Sequence, residues 1–513
     1  MRTFPGMRSS LAICSALLVV LLGGCGSSSE TGSPSELVPK GVAFYGEAVL
    51  DPEGDQESAV REIVGRFPGG DKAEERLKSE LSKALEKEGF DYAEDIEPVV
   101  GDRVAFFASS VSQNDADAAA VIAVDDEDKA REVLDKALRK DGKPREKSYE
   151  GTDYLLLPEE KLAASVLDGN AVIGTEGGLK DAVDTAGAEE TVKDDERVSQ
   201  AIEPLPDEPL AFFYVDGRKL VSALGPAAAL GSSFLKVLDD PFAVGLVAEP
   251  DAVVVESTVP PSLASLAAPL FFGSGTDAVT DLPADAWYAA GQPKLGETIQ
   301  GFVRQFAGLA GGEQQIEAQV RAATGLDLSD DILGWMGDFS AFASGTSLPE
   351  LGAGLVIESS EPATSRRTLR KLGVLLRREV SGGSRVTSLS LPGGGEGFTI
   401  TDAELPQPIH VVQREDRVVA ALGDESASAL LEPSETLGDD DDFSAAAGRL
   451  GEGFEPANYL DVAPILELAE SQGASDDEEY VKAKPYLEVF SRLIAGTKRD
   501  GDSVLSRTRV EFR

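Results

Sequence analysis

The feature that most constrains the fold of this 513-residue chain is an internal repeat, because short motifs of its first half return in the same order in its second half. The most specific pair has no gap: residues 95–106 and residues 331–342 share the pattern Asp-Ile-x4-Gly-Asp-x2-Ala-Phe. The period of the repeat is about 245 residues, and the separation between matched segments drifts only as loop insertions would make it drift. Three further pairs are Leu155-x-Leu157-Pro158 with Leu389-x-Leu391-Pro392, Tyr214-Val215-Asp216 with Tyr459-Leu460-Asp461, and Asp251-x-Val253 with Asp502-x-Val504. The pattern predicts two tandem copies of one unit.

Each predicted unit alternates short apolar strands with helices. In the first unit, the strands include residues 42–50, 103–109, 119–124 and 211–215. A helix is predicted over Lys72–Lys87, since leucines recur there at four-residue spacing on one face. Strands in hairpin-length succession, interrupted by helices, favour an α+β fold with mainly antiparallel sheets and packed helices.

The predicted division of the chain follows from these elements. Repeat unit 1 covers residues 37–262 and repeat unit 2 covers residues 281–513, with a connector at 263–280. The apolar stretch 262–272 is too short to span a bilayer, so it is predicted to be a buried connector. A segment that touches the membrane is the alternative.

The first 25 residues predict export and lipid anchoring. Arg2 and Arg8 precede an apolar run, 11–22, which has the length of a secretory signal and not of a membrane-spanning helix. The run ends in Leu22-Gly23-Gly24-Cys25, which resembles the lipobox of bacterial lipoproteins. The resemblance implies a signal peptide at 1–24, a flexible tether at 25–36, and a Cys25 that carries diacylglycerol and palmitate. The implied location is the outer face of the bacterial cytoplasmic membrane, with the membrane as a partner through this anchor.

Charge and cysteine content exclude several classes of function. The chain has 91 acidic against 47 basic residues, a formal net charge of −44. Nucleic acid is therefore not an expected partner, because neutralising phosphates needs clustered Lys and Arg. The same charge opposes electrostatic binding to anionic lipid headgroups, so membrane attachment would depend on Cys25. The only other cysteine, Cys14, lies in the leader, so disulfides, thiolate nucleophiles and Cys-ligated zinc are not expected.

The chain offers few residues for catalysis. His410 is its only histidine and lies in an alternating strand, where it is predicted to be a tolerated surface or edge residue. No G-x-S-x-G turn presents a serine to it. Ser233-x-x-Lys236 matches the first element of serine acyl-enzymes of the penicillin-binding type, but the S-D-N and K-T-G partners are missing. The sequence therefore predicts no catalytic residues, no cofactor and no enzymatic activity.

Carboxylates are the remaining candidate ligands. The densest group is Asp439, Asp440, Asp441 and Asp442, which could hold a cation such as calcium through several oxygens. The spacing of a calcium-binding loop is missing, and acids before a helix also serve as N-caps, which is the alternative interpretation. Asp216 and Asp461 each end a strand and precede a helix, so both are predicted to be helix caps.

The arrangement resembles domain-of-unknown-function family 3352, a family of uncharacterised actinobacterial cell-envelope lipoproteins. The resemblance is carried by Leu-Val-Pro at 37–39 before Phe44-Tyr45, by Leu-Pro-Ala-Asp-Ala at 282–286 before Trp287-Tyr288, and by the two Asp-Ile-x4-Gly-Asp segments. It implies an extracytoplasmic lipoprotein and supplies neither an activity nor catalytic residues.

Three functions stay open on the sequence. The leading hypothesis is a non-enzymatic binding or interaction module of the cell envelope. The second is a carrier or sensor of an apolar ligand, in a pocket lined by the small side chains of 220–235. The third is a carboxylate-dependent hydrolase of envelope glycans, which needs two acids about 5–10 Å apart in one cleft.

Overall fold

The computed structural model describes residues 32–112, 115–223, 240–259, 275–307, 312–379, 384–391, 394–501 and 503–513. Cys25 with the leader, Ser233, Lys236, most of the 220–235 stretch and the connector up to residue 274 lie outside these residues. The described chain divides into two compact units, one ending at residue 258 and the other beginning at residue 259.

The described part of the first unit contains ten strands and six α-helices. The strands are β1 Phe44–Val49, β2 Val100–Val111, β3 Ala116–Val124, β4 Arg145–Tyr149, β5 Thr152–Leu157, β6 Leu162–Leu167, β7 Asn170–Gly174, β8 Ala211–Val215, β9 Phe242–Glu249 and β10 Ala252–Val259. The helices are α1 Gly54–Arg66, α2 Ala73–Lys87, α3 Glu127–Asp141, α4 Glu176–Ala186, α5 Glu196–Ile202 and α6 Gly217–Ala223.

The first unit is built on one antiparallel sheet with strand order β10-β9-β8-β1-β2-β3-β7-β6-β5-β4. Both faces are covered, because successive residues of the central strands point to opposite faces and are apolar on each. Val121 of β3 belongs to the core under α4 and α5, whereas its neighbours Ile122 and Val124 belong to the core under α3. The α+β class with antiparallel sheets is thus confirmed.

The described part of the second unit contains a further ten strands and seven α-helices. The strands are β11 Ala286–Gln292, β12 Met336–Ser344, β13 Gly352–Ser359, β14 Arg385–Ser390, β15 Glu396–Thr401, β16 Ile409–Arg414, β17 Arg417–Leu422, β18 Glu455–Asp461, β19 Phe490–Asp500 and β20 Ser503–Phe512. The helices are α7 Leu295–Phe306, α8 Glu313–Thr324, α9 Pro362–Glu379, α10 Gly423–Leu431, α11 Asp441–Gly448, α12 Val462–Ser471 and α13 Glu478–Leu487.

The second unit has an antiparallel sheet with strand order β20-β19-β18-β11-β12-β13-β17-β16-β15-β14. Strand for strand, this is the pairing order of the first unit. The residues matched by the sequence repeat lie in strands and helices of the same rank: Gly101 with Gly337, Leu134 with Leu369, and Tyr214 with Tyr459. This agreement supports the tandem duplication, which stays a prediction until the units are superposed.

The repeated Asp-Ile-x4-Gly-Asp segment has the same local role in both units. Asp91 Oδ1 accepts hydrogen bonds from the backbone N–H groups of Ala93 and Glu94 at 2.9 and 3.0 Å, and Asp95 Oδ2 accepts one from Asp91 N at 3.0 Å. Asp327 and Asp331 repeat these bonds, with Asp331 Oδ2 accepting from Asp327 N at 3.0 Å. The carboxylates thereby satisfy N–H groups that a short helical turn leaves open.

The glycine of that segment is required by a close approach of two strands. A Cβ atom at Gly101 would lie 3.0 Å from the backbone oxygen of Ala123, and one at Gly337 would lie 2.8 Å from that of Glu358. Each glycine stands where the register of its strand shifts against the next strand. The motif is therefore structural in both units.

Membrane insertion by a helix finds no support in the described part of the chain. No helix there combines the length and the hydropathy needed to cross a bilayer.

Candidate functional site

The first unit contains a dry cavity between its sheet and helices α2 and α3. Its volume is about 110 Å³. Sixteen of the seventeen lining residues are apolar, and Glu88, the exception, pairs with Lys140 on α3. The lining side chains come from every side of the core, and include Leu85, Val99, Ile122, Ala130, Ala164 and Ile173.

Small side chains leave this space open. Ala130 and Ala137 face it from α3, and Ala164 and Ala171 face it from β6 and β7. A cavity lined by apolar side chains stays free of water, because a buried water molecule needs several polar partners. An engineered cavity of about 150 Å³ with a similar lining binds benzene or xenon. The space in the first unit is therefore of the size and chemistry that takes up a small apolar group.

The second unit has a much larger side chain than the first at one matched core position. The gapless match of 95–106 with 331–342 places Trp335 at the position of Val99. Trp335 is 3% exposed and packs in one core with Leu369 and Val418. Its Nε1 donates to the backbone oxygen of Asp331 at 3.0 Å, which fixes the ring. Six of the twelve positions differ between the two segments, and the exchange of Val99 for Trp335 adds the most side-chain volume. We therefore expect the indole to take up, in the second unit, the volume that Val99 leaves open in the first.

A wet cleft of about 660 Å³ adjoins the cavity on the first unit's surface. Leu134 of α3 and Ala164 of β6 line both spaces, so these side chains form a shared wall. Charged residues such as Arg131, Lys147 and Asp153 are among its lining residues, together with the apolar Leu155 and Val166. Tyr154 also lines the cleft and is buried to 4% exposure.

On the face of the sheet that packs against α4, a cluster of charged and polar groups centres on Glu176, at the start of α4. Its Oε1 accepts hydrogen bonds from Lys147 Nζ at 2.9 Å and from the Tyr154 hydroxyl at 2.7 Å. These bonds, with Lys180 at 3.1 Å, lower the pKa of Glu176 to about 2. Burial, followed by the Glu176 charge, raises the pKa of Tyr154 to about 12, so its hydroxyl stays a donor. Lys147 is consequently neutralised by a neighbour within the protein.

Acid is expected to weaken the first unit through Glu176. The pKa of the Glu176 carboxyl is about 4.3 in the unfolded chain and about 2 in the folded one. Its contribution to stability is therefore fully present above the unfolded pKa, and it is lost as the pH falls towards the folded pKa. Between pH 5 and pH 3, the urea midpoint should therefore fall more for the wild type than for Glu176→Gln. Glu132→Gln, at an exposed site on α3, is the control and should follow the wild type; equal falls in all three proteins would refute this account.

His410 is not the surface or edge residue that the sequence suggested. It lies in β16, which pairs with β15 on one side and β17 on the other, and it is 6% exposed. Its Nδ1 is 3.0 Å from the Thr399 hydroxyl of the neighbouring strand. Its Nε2 is 3.0 Å from Asp424 Oδ1, at an angle that does not make a hydrogen bond. The prediction was wrong because alternation alone does not distinguish a central strand from an edge strand.

The grouping of Thr399, His410 and Asp424 has the residue types of a catalytic triad without its exposure. In a triad the orienting carboxylate is buried and the nucleophile faces the substrate. Here the Asp424 side chain is 98% exposed, while His410 is buried on a central strand. The geometry fits a buried histidine held by its strand neighbour.

His410→Ala should therefore cost about 1–3 kcal/mol of unfolding free energy, because a buried side chain is removed and the Thr399 hydroxyl loses a partner. This exceeds the cost of a surface substitution, at most about 0.5 kcal/mol. Chemical denaturation with hydrogen exchange of β15–β17 measures it. Asp424→Asn is the matched control and should behave as the wild type, since its side chain is in solvent. A variant His410→Ala with unchanged stability would contradict the burial argument.

Three of the four aspartates at 439–442 are engaged in local contacts. Asp439 Oδ2 accepts from the backbone N–H and the hydroxyl of Thr436, at 3.2 and 2.9 Å, and Asp440 caps α11 by accepting from Phe443 N at 2.7 Å. Asp442 Oδ1 is 3.6 Å from Arg492 Nη2. Within the described residues, no group of three or more His, Cys, Asp or Glu side chains could hold a metal ion. These contacts agree with the capping interpretation, and cation binding here stays a prediction.

The two predicted strand-end caps are present. Asp461 caps α12 by accepting from Ala463 N at 3.1 Å, and Asp216 accepts from Arg218 N at 3.1 Å as α6 begins. Asp216 is 5% exposed, and Arg197 Nε lies 3.3 Å from its Oδ2. Both carboxylates are therefore occupied by structural partners.

The second unit has a cleft of its own, of about 580 Å³. Four carboxylates line it, and no Lys or Arg is among its described lining residues. They are Asp285, Glu350, Glu425 and Glu435.

Sequence reasoning missed the cavity and both clefts. The stretch proposed for an apolar pocket, 220–235, is described only to Ala223, and the cavity lies elsewhere in the first unit. One signal was present in the sequence: Val99 and Trp335 stand at matched positions of the repeat and differ greatly in apolar volume, although five other positions of the twelve-residue match differ as well.

The chain belongs to the family described as "Protein of unknown function (DUF3352)", whose profile matches residues 10–499. No curated protein matches it. Among solved structures, crystal form III of TP0453 has a TM-score of 0.24 and 11% identity, over 45% of this chain and 81% of that one. Crystal form IV gives the same TM-score and identity over 48% and 89%. At this TM-score the likeness supports no inference about this chain.

Proposed function

We propose that the chain is a lipid-anchored, extracytoplasmic binding protein of the cell envelope, without enzymatic activity, whose first unit takes up a small apolar group. The observation that carries the proposal is the dry cavity beside Val99. The predicted lipid on Cys25 would hold this unit next to a bilayer, where apolar molecules are concentrated.

The energetics favour an apolar occupant. An unfilled cavity forgoes the dispersion contacts that its lining atoms would make with a packed neighbour. Each methylene moved from water into such a space contributes about 0.8 kcal/mol. A polar group would find no partner there, because the lining offers only hydrocarbon apart from Glu88, which is paired.

Fluorobenzene tests the proposal directly. The full chain is placed in phospholipid nanodiscs, and binding is followed by fluorine NMR. Wild type and Val99→Ala should bind the probe, whereas Val99→Trp should bind it at least tenfold more weakly, because an indole at this position would occupy the cavity. Ala130→Leu fills the space from α3, and it is the second filled variant in case Val99→Trp disturbs folding. Equal binding by wild type and both filled variants would overturn the proposal.

A carboxylate-dependent hydrolase of envelope glycans is the second candidate, favoured by the acidic cleft of the second unit. Glycoside hydrolysis requires a pair of carboxyl groups that flank the scissile bond. If the chain is such an enzyme, it releases reducing ends from purified cell-wall glycan, and Glu350→Gln or Glu425→Gln abolishes the release. Absence of release by the wild type eliminates this candidate.

A further inference from the structure

We propose that the ligand of the first unit is an amphiphile with an uncharged, hydroxyl-bearing headgroup. Its alkyl tail lies in the dry cavity and its headgroup lies in the adjoining wet cleft. The inference rests on the proposed function for the tail, and adds the chemistry of the head and the path between them.

The position of the two spaces supports one ligand for both. The cavity has about 110 Å³ and the cleft about 660 Å³, and Leu134 and Ala164 belong to the walls of each. Leu134 is half-buried on α3, and Ala164 is a small residue of β6. In this proposal the alkyl chain passes between these two side chains, which requires Leu134 to change its rotamer. A ligand apolar at one end and polar at the other matches this pair of environments.

The charges of the cleft select against an anionic headgroup. Lys147 is already paired with Glu176 at 2.9 Å, and Arg131 with Asp128 at 3.0 Å and with Glu127. Asp135 and Glu146 also line the cleft and are paired with Arg139, at 2.7 and 3.7 Å, and Asp153 adds a further carboxylate. An added anion would find these cations already paired and would lie near Asp153.

The same groups suit hydroxyls. Asp153 is exposed and its carboxylate accepts hydrogen bonds, and the Ser148 hydroxyl both donates and accepts. A sugar or glycerol hydroxyl also both donates and accepts, so it can bond to each of them without carrying charge. A cationic headgroup would face Arg131 and would compete with Arg139 for Asp135 and Glu146.

Displacement of fluorobenzene by alkyl glucosides tests the inference, with the full chain in nanodiscs and with Val99→Trp as the blank. Hexyl glucoside should displace the probe, and affinity should rise about fourfold per methylene from propyl glucoside until the cavity is full. Hexanoate and hexyltrimethylammonium should displace at least tenfold more weakly. Asp153→Ala should weaken hexyl glucoside at least threefold and leave fluorobenzene binding unchanged, while Glu132→Ala, an exposed acid of α3 outside both spaces, should change neither.

The outcomes separate the two proposals. If fluorobenzene binds the wild type but hexyl glucoside does not displace it, or if a charged analogue displaces it equally well, the headgroup inference is wrong and the apolar cavity stands. If Asp153→Ala and Glu132→Ala behave alike, the cleft does not hold the head. If fluorobenzene itself fails to bind the wild type, the proposed function falls and this inference with it.

Discussion

Trp335→Ala should lower the free energy of unfolding of the second unit by about 3–5 kcal/mol, the range for removing a large aromatic side chain from a core. The indole is 3% exposed and contributes to one core with Leu369 and Val418. Its removal also leaves the hydrogen bond to the Asp331 backbone oxygen unmade. Hydrogen exchange of the buried amides of β12 and β13 measures the unfolding of this unit separately.

The same variant should gain the property that we assign to the first unit. Without the indole, the second unit should have an apolar space at residue 335, which matches Val99 of the first unit. Fluorobenzene should therefore bind to the second unit as well. Leu348→Ala is the control, because Leu348 is 42% exposed and its loss should change neither quantity. A cost below about 1 kcal/mol, with no new fluorobenzene binding, would mean that Trp335 does not fill a space that Val99 leaves open.

Cys25→Ser should move the protein from the membrane fraction to the aqueous fraction, or leave it as unprocessed precursor. The lipid on Cys25 is the predicted attachment, and the described residues contain no helix that could replace it. A net charge of −44 adds no attraction to an anionic surface. Cell fractionation with metabolic labelling by palmitate measures both the location and the acylation.

Cys14→Ser is the matched control for this experiment. Cys14 is the other cysteine of the chain and lies within the apolar run of the leader, so its substitution should leave labelling and membrane location unchanged. If Cys25→Ser is processed, labelled and membrane-bound like the wild type, the lipobox interpretation is wrong.

Elements with a strong local pattern were predictable from the sequence. The strand at 211–215 coincides with β8, and the helix over Lys72–Lys87 begins one residue later, at Ala73. The predicted strand 103–109 is shorter than β2, which covers Val100–Val111. The prediction was too short because the ends of β2 contain Gly101 and serines, which strand propensity disfavours. Pairing with neighbouring strands holds these residues extended all the same.

The site was not predictable in the same way, because it depends on what meets across the core. The cavity results from side chains of α2, α3 and four strands that leave a volume unfilled between them. Hydrophobic periodicity predicts which residues turn inward but not whether their volumes add up to a full core. His410 shows the same limit: it shares a face of β16 with Val412, and both are buried. An alternating pattern fits a buried face as well as an exposed one.

The most direct test of the apolar site is a crystal structure of the full chain under xenon pressure. Xenon enters dry apolar cavities without needing a polar partner. We predict a xenon atom in the first unit between Val99 of the segment before β2 and Ala130 of α3, and none beside Trp335 in the second unit. Crystals without xenon in the first unit's cavity, or with equal occupancy next to Trp335, would contradict the account.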